Sequence, residues 1–212
     1  MLNMDASMPT LLKMRPPTYR EKGSLMYGTL PNVLSMLIVE LPWLALCVTI
    51  GTTISYFMMG LAAAAVPFFT HLLTVFLLAL VLVSFGHTVA NTAANFDVAQ
   101  ATIGTFAPIL FLFGGMFSKP TSMPPGARWV NTIDPIGYAF RALIPLHFVC
   151  TGADCPSIAD CPSKNARLDR WAYVKEQYDL SFEEVWPCIG WLSLFIAAFQ
   201  VLVCRPFPYL HK

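Results

Sequence analysis

An all-α, polytopic membrane protein is the fold class this sequence predicts, with about four transmembrane helices, short re-entrant or external helices and a large external loop. Three observations predict it. Between Gly23 and Phe117 only two residues, Glu40 and Asp97, carry formal charge. Of the 212 residues, 56% are hydrophobic and 12% charged, where an ordinary soluble domain has about 25% charged residues. Mean hydropathy is +0.60, and proline, glycine and charge divide the apolar sequence into four stretches near the roughly 20 residues that a spanning helix needs.

Taken in order, residues 1–22 are polar, with Lys13, Arg15, Arg20 and Lys22, and Pro16-Pro17 is expected to prevent a continuous helix there. They form a cytosolic N-terminal segment with no apolar core and small-residue cleavage site of a signal peptide. The first span is placed at 32–59, kinked at Pro42 and closed by Gly60. An alanine-rich connection to Pro67 leads into a second span at 68–94, and so short a link makes the two antiparallel. The polar group Asn91, Asn95, Asp97 and Gln100 marks the next exit from lipid. A third span at 101–117, barely long enough, contains Pro108 and is a candidate for a broken or partial crossing.

Composition then changes. Residues 119–184 hold seven Lys/Arg, eight Asp/Glu and three Cys in 66 residues, as expected of a loop facing water or an interface. Within it, residues 129–149 are amphipathic enough for a short re-entrant or interfacial helix. The fourth span is placed at 185–204 and a cytosolic tail at 205–212. Basic residues before the first span and after the last, Arg205 and Lys212, put both ends in the cytosol and the large loop outside.

A net charge of +1 and the lack of a basic run interleaved with aromatics exclude a nucleic-acid partner. No phosphate-binding glycine loop, zinc-protease helix, serine-hydrolase elbow or N-glycosylation acceptor is present, so the chain offers no recognisable catalytic centre, metal site or cofactor site. Two buried carboxylates also fall short of the charged rings of an ion channel.

Glu40 is the ionisable group well inside the first span. An unpaired carboxylate there costs several kcal/mol, so it either reaches interfacial water or a basic residue of a neighbouring segment, or serves in a proton relay. Ser84, His87, Thr88, Asn91 and Asn95 stand at offsets 0, 3, 4, 7 and 11, one helical stripe. Gly86, Ala90 and Ala94 form an adjoining small-residue stripe that permits close backbone approach. Both suit helix-to-helix contact, with a ligand or ion pathway as the alternative. Phe111, Phe113, Gly114, Gly115, Met116 and Phe117 join soft apolar side chains to flexible backbone, as lipid-facing or core residues or as a cavity lining. Cys150, Cys155 and Cys161 lie in the loop placed outside, where two could pair; a zinc site with His147 lacks a C-x-x-C pair. Cys47, Cys188 and Cys204 fall in spans as small hydrophobes.

Several pieces recur in a particular order: Arg20-Glu21-Lys22-Gly23 with Tyr27, Val39-Glu40-Leu41-Pro42-Trp43, residues 56–61, 95–99 and 111–117, then Pro124, Trp129, residues 134–139 and Ala142-Leu143 before a Cys-bearing loop and a last span. In that order the chain resembles the C-terminal membrane half of a pleiotropic drug resistance transporter of the ABC G subfamily, the type II ABC exporter fold. The resemblance covers about residues 15–204 and matches spans three to six of six. It implies that two spans and the ATP-binding domain, which would hold ATP and Mg, are supplied elsewhere, and that this chain alone does not pump.

It further implies coupling roles for Arg20, Glu21, Lys22 and Glu40, and substrate-cavity roles for Pro108, Phe111, Met116 and Phe117. One disulfide within the loop and one between chains would use Cys150, Cys155 and Cys161, in a pairing left open. The expected partners are an ATP-binding domain, a second transmembrane half, membrane lipid and a hydrophobic small molecule. The expected setting is the plasma membrane, the expected activity efflux of amphipathic xenobiotics or lipids by alternating access. A rival reading is a non-transporting membrane interaction protein, a truncated paralogue that dimerises through its small-residue stripe and external cysteines.

Overall fold

The computed structural model describes residues 28–61, 65–115, 128–148 and 185–204, together with Pro9, Lys13, Met14, residues 16–18, Arg20, Glu21 and Ser24. Its main elements are α1 (Thr29–Met58), α2 (Ala65–Thr92), α3 (Phe96–Phe113), α4 (Arg128–Ile133), α5 (Pro135–Phe148) and α6 (Val185–Cys204). Among the described residues no strand occurs. Four helices, α1, α2, α3 and α6, are long and apolar enough to cross a membrane.

Each boundary has a local cause. Gly60 ends α1 with a left-handed φ of 65°; its N–H donates to Phe57 O at 3.1 Å and Leu61 N–H to Tyr56 O at 3.4 Å, the paired bonds that satisfy the last carbonyls of a helix. A β-branched or larger residue would resist that backbone conformation. Pro42 lies inside α1 without ending it. The third helix starts at Phe96, five residues before the expected 101: Asn95 is its N-cap and Asp97 sits in its first turn. A carboxylate is favoured at that positive end of the helix dipole, so the polar residues read as an exit from lipid are the beginning of the next helix.

Pro16, Pro17 and Thr18 are helical, and Thr18 Oγ1 donates to Met14 O at 2.7 Å; whether the helix runs on through Pro16-Pro17 turns on Arg15, outside the described residues.

The expected single helix at 129–149 is two, α4 and α5, divided at Asp134. The residue before a proline is pushed out of helical geometry, and Asp134 Oδ1 then accepts the Ile136 N–H at 3.0 Å while Pro135, at the first helical position, has no N–H to satisfy.

Packing fixes the relative directions. Glu40 meets His87, Leu44 packs with Leu80 and Val83, and Tyr56 faces His71, so α1 and α2 are antiparallel. Along α5, Ala139 packs with Val81 and Leu192, Ala142 with Val185, Cys188 and Ile189, and His147 meets His71. That helix therefore runs against both α2 and α6, rising roughly 15 Å over ten residues toward the end of the bundle where α1 finishes. Helix α3 does not reach that end. With 18 residues it is about 27 Å long, and it stops at Gly114, whose carbonyl oxygen lies 3.5 Å from where a side chain on Gly137 would begin. The remaining height is filled by α5, which re-enters the bundle from one side.

Threonine and serine hydroxyls are largely satisfied within their own helices: Thr53, Thr70, Thr74, Thr88, Thr102 and Thr105 each donate to the carbonyl four residues earlier. In an apolar medium this removes the penalty of an unpaired hydroxyl without a second helix.

Candidate functional site

Among the described residues, the polar side chains that cross between helices lie at three levels. At the level where α1 begins and α2 ends, Glu40 Oε2 stands 2.8 Å from His87 Nε2, with the histidine side chain 4% and the glutamate 26% exposed. The approach is close but off the hydrogen-bonding axis, for neither atom has an aligned partner. Packing of α1 on α2 around Leu44, Leu80 and Val83 fixes the proximity. One turn away, Gln200 Nε2 of α6 donates to Ser84 Oγ at 3.0 Å. Ser84 and His87 thus tie α2 to α6 and to α1, the two helices flanking it.

At the opposite end, His71 Nδ1 of α2 and His147 Nε2 of α5 are 2.7 Å apart, which requires one nitrogen to carry a proton and the other to accept it. Tyr56 of α1, wholly buried, presents its ring at 5.4 Å to His71 and 5.6 Å to His147, with Phe68 edge-on at 5.2 Å. Burial, with a smaller contribution from the neighbouring His71, holds the His147 imidazole below its usual range, at about 4. No group of three or more His, Cys, Asp or Glu side chains able to hold a metal occurs among the described residues.

The third locus joins α3 to the α4–α5 hairpin. Asn131 Nδ2 donates to Phe113 O at 2.8 Å, and its Oδ1 accepts from Arg141 Nη2, whose guanidinium lies 5.9 Å over the Tyr138 ring. Tyr138 OH donates to Thr132 O at 2.9 Å. Asp134 is fully buried, with Oδ2 lacking a hydrogen-bond partner. Burial raises its carboxyl to about 6, against the opposing pull of the Ile136 and Gly137 amides. Gly115, just past the end of α3, has a left-handed φ of 88°.

Of the residues singled out in the sequence, Glu40, Ser84 and His87 are drawn into specific cross-helix contacts. Arg20 and Glu21 are exposed on the N-terminal helical segment, where the Ser24 N–H closes the turn onto Arg20 O at 3.1 Å. Pro108 and Phe111 are both exposed on α3; Pro108 points away from the stripe of buried Ala99, Ile103 and Ala107, whereas Phe111 continues that stripe one turn further on. Lys22, Met116, Phe117, Cys150, Cys155 and Cys161 lie outside the described residues. Cys188 is buried, whereas Cys47 and Cys204 are half-buried rather than core residues.

The two α2 stripes need correcting. Helix α2 ends at Thr92, so Asn95 and Ala94 belong to neither; Thr88 bonds its own helix, leaving Ser84 and His87 as the cross-helix members. Gly86 is buried within the bundle, and Ala90 packs with Ala93, Ala99 and Ile103, so this small-residue surface is consumed inside one chain. Sequence reasoning missed the His71–His147 pair and the Asn131–Arg141 link. Nothing in local spacing joins residues 76 positions apart, whereas the Asp134-Pro135 dipeptide carried a signal for the α4–α5 break that the expectation of one helix passed over.

An integral membrane protein of the helical, polytopic class is what this arrangement defines: four apolar spans, a re-entrant helix pair, and a few buried polar contacts tying them together. Residues 1–148 match the ABC-2 type transporter family, and the chain belongs to it. It is 26% identical over 200 residues to the ABC multidrug transporter MDR1 of Trichophyton equinum, covering 87% of this chain and 13% of that one. Against ABC transporter G family member 10 of Dictyostelium discoideum it is 30% identical over 146 residues, 69% of this chain and 10% of the relative. Against ABC transporter G family member 36 of Oryza sativa subsp. indica it is 23% identical over 208 residues, 98% and 13% of the two chains. The chain thus spans about an eighth of the length of the curated relatives it matches.

Proposed function

We propose that this chain is a membrane-spanning portion of an ATP-driven exporter that moves amphipathic or hydrophobic compounds, xenobiotics or lipids, across the plasma membrane. Support comes from family membership and from relatives named as multidrug transporters. The structural observation that carries the reading furthest is the C-terminal half of α3, where Phe106, Pro108, Ile109, Phe111 and Leu112 are all exposed around much of the helix. A broad apolar surface of this kind suits chemically varied hydrophobic ligands, which bind through burial at about 25 cal/mol per Å².

In this reading α3 faces a second transmembrane half across a central path. ATP and Mg are bound by a nucleotide-binding domain outside this chain, which itself catalyses no reaction. Arg20, Glu21 and Lys22, ahead of α1, receive that domain's motion. The Glu40–His87 contact carries the motion from α1 to α2, because moving α1 alone would separate the two side chains.

The test is efflux from vesicles holding a complete transporter that contains this sequence. Phe111→Ala should change the ranking of a panel of hydrophobic dyes while leaving expression intact. An identical dye profile would remove Phe111 from the transport path, and absence of ATP-dependent efflux in the parent would refute the exporter reading.

A further inference from the structure

Neither family membership nor the exporter reading gives any part to His71 and His147. They come from different helices, α2 and α5, and meet nitrogen to nitrogen at 2.7 Å. His71 is only 8% exposed. Two imidazoles at that separation hold one proton between them: the N–H of one donates to the bare nitrogen of the other. If both rings carried charge, both facing nitrogens would be donors, and two like charges would stand 2.7 Å apart.

Among the described residues, the surroundings offer no counter-charge. From α1 the facing titratable group is Tyr56, which presents its ring edge-on to both imidazoles. Helix α2 contributes no other ionisable group at this end, its second histidine, His87, being paired with Glu40 at the far end. On α5 the nearest charge is Arg141, six positions before His147 and engaged by Asn131. Helix α6, packed on the other side of α5, carries no Asp, Glu, Lys or Arg between Val185 and Cys204. Extra protons at this site would therefore meet aromatic and apolar walls.

The pair is also the last described contact of α5 at this end. Tyr138, Ala139 and Ala142 hold the helix lower down against α2 and α6, and His147 is one residue from the end of the element. Its loss would loosen the last turn of α5, beyond the fully buried Pro145, from the α1–α2 hairpin while the lower packing stays in place.

We propose that His71 and His147 form a proton-sensitive clasp: neutral, it pins the re-entrant helix α5 to the ends of α1 and α2, and acidification opens it. The site binds protons and is distinct from the cavity face of α3. It stands independently of which compound the protein handles.

The experiment is hydrogen exchange on the 212-residue chain in zwitterionic phosphatidylcholine nanodiscs at about pH 7.5 and about pH 5, corrected for the intrinsic pH dependence of amide exchange. A ring that titrates at about 4 when clasped and near 6.5 when released should make opening about thirtyfold easier at the acidic pH. The increase should appear at residues 146–148 and 66–72, persist in His87→Gln, and vanish in the His71→Gln/His147→Gln double variant. An unchanged wild type, or an acid response that survives in the double variant, overturns the clasp. Should the double variant misassemble, ¹⁵N NMR of the wild-type imidazoles decides. One hydrogen-bonded N–H···N pair resisting protonation to below about pH 5 supports the clasp, and independent titration of both rings near the ordinary histidine value refutes it.

Discussion

Gly114→Ala probes the close approach between the end of α3 and the start of α5. A Cβ there would lie 3.0 Å from Ile136 Cγ2, 3.2 Å from Leu110 O and 3.3 Å from Asp134 Oδ2. The Ile136 methyl can rotate away, but the Leu110 carbonyl is fixed in the last turn of α3 and Asp134 is held by its bond to Ile136 N–H. Forcing a methyl into such a site costs typically ~1–3 kcal/mol. With φ at −63° the backbone accepts alanine, and the reduced freedom of the unfolded chain returns ~0.4–1 kcal/mol. The net expectation is a destabilisation of ~1–2 kcal/mol.

Gly104→Ala is the matched control: it lies mid-helix on the same α3 with nothing within 4 Å of a Cβ, so it should stabilise by ~0.5–1 kcal/mol. Both variants can be compared by denaturant titration in mixed micelles, following Trp129, Trp186 and Trp191 fluorescence. Opposite signs are expected. If the two substitutions shift the midpoint in the same direction by similar amounts, the end of α3 does not press on the start of α5, and the close approach at Gly114 is refuted.

Asp134→Asn should remove a pH dependence. A carboxyl raised from 3.8 to about 6 favours the folded state when protonated, so its contribution is present below about pH 4 and lost as pH rises through 6. The Asp134 contribution should fall by up to ~3 kcal/mol over that window, so the stability difference between wild type and the asparagine variant, which can still accept the Ile136 N–H, should shift by that amount in a pH-resolved unfolding series, the His71–His147 contribution being common to both. Glu40→Ala and His87→Ala should be non-additive by ~0.5–3 kcal/mol in a double-mutant cycle, because the two side chains stand 2.8 Å apart; if they are additive, the pair does not interact. Ser84→Ala with Gln200→Leu removes both members of a cross-helix bond and should be close to neutral, whereas Ser84→Ala alone leaves the Gln200 amide stranded and should cost ~1–3 kcal/mol, measurable as the difference between the two unfolding midpoints.

Much of the fold was legible because membrane solvent makes strong local demands. Backbone groups in lipid must be satisfied within the segment, so apolar length alone announces α1, α2 and α6. Gly60 was readable as a stop for the same reason: few other residues accept its backbone angle. The start of α3 was misplaced because Asn95, Asp97 and Gln100 carry the composition of a loop, while the cap and dipole that recruit them into a helix act over a single turn. Residues 129–149 read as one helix because amphipathic periodicity continues across Asp134-Pro135, although that dipeptide held the information for a break. Among candidate residues, Glu40 was visible as a carboxylate that must find a partner. Its partner was not, since His87 occupies a stripe in which Thr88 bonds its own helix and Asn95 lies beyond the helix end.

The sequence by itself determined the solvent of this protein, the number of its apolar crossings and the family whose order of motifs it shares; these follow from composition and from short-range backbone rules. Tertiary structure alone decided that α5 rises between α2 and α6 to finish the height α3 leaves unfilled, that Glu40 meets His87, and that His71 meets His147 across 76 residues. Such pairings depend on where helices of unequal length come to rest against one another, and helix-to-helix register is a property of packed surfaces rather than of any local stretch of chain.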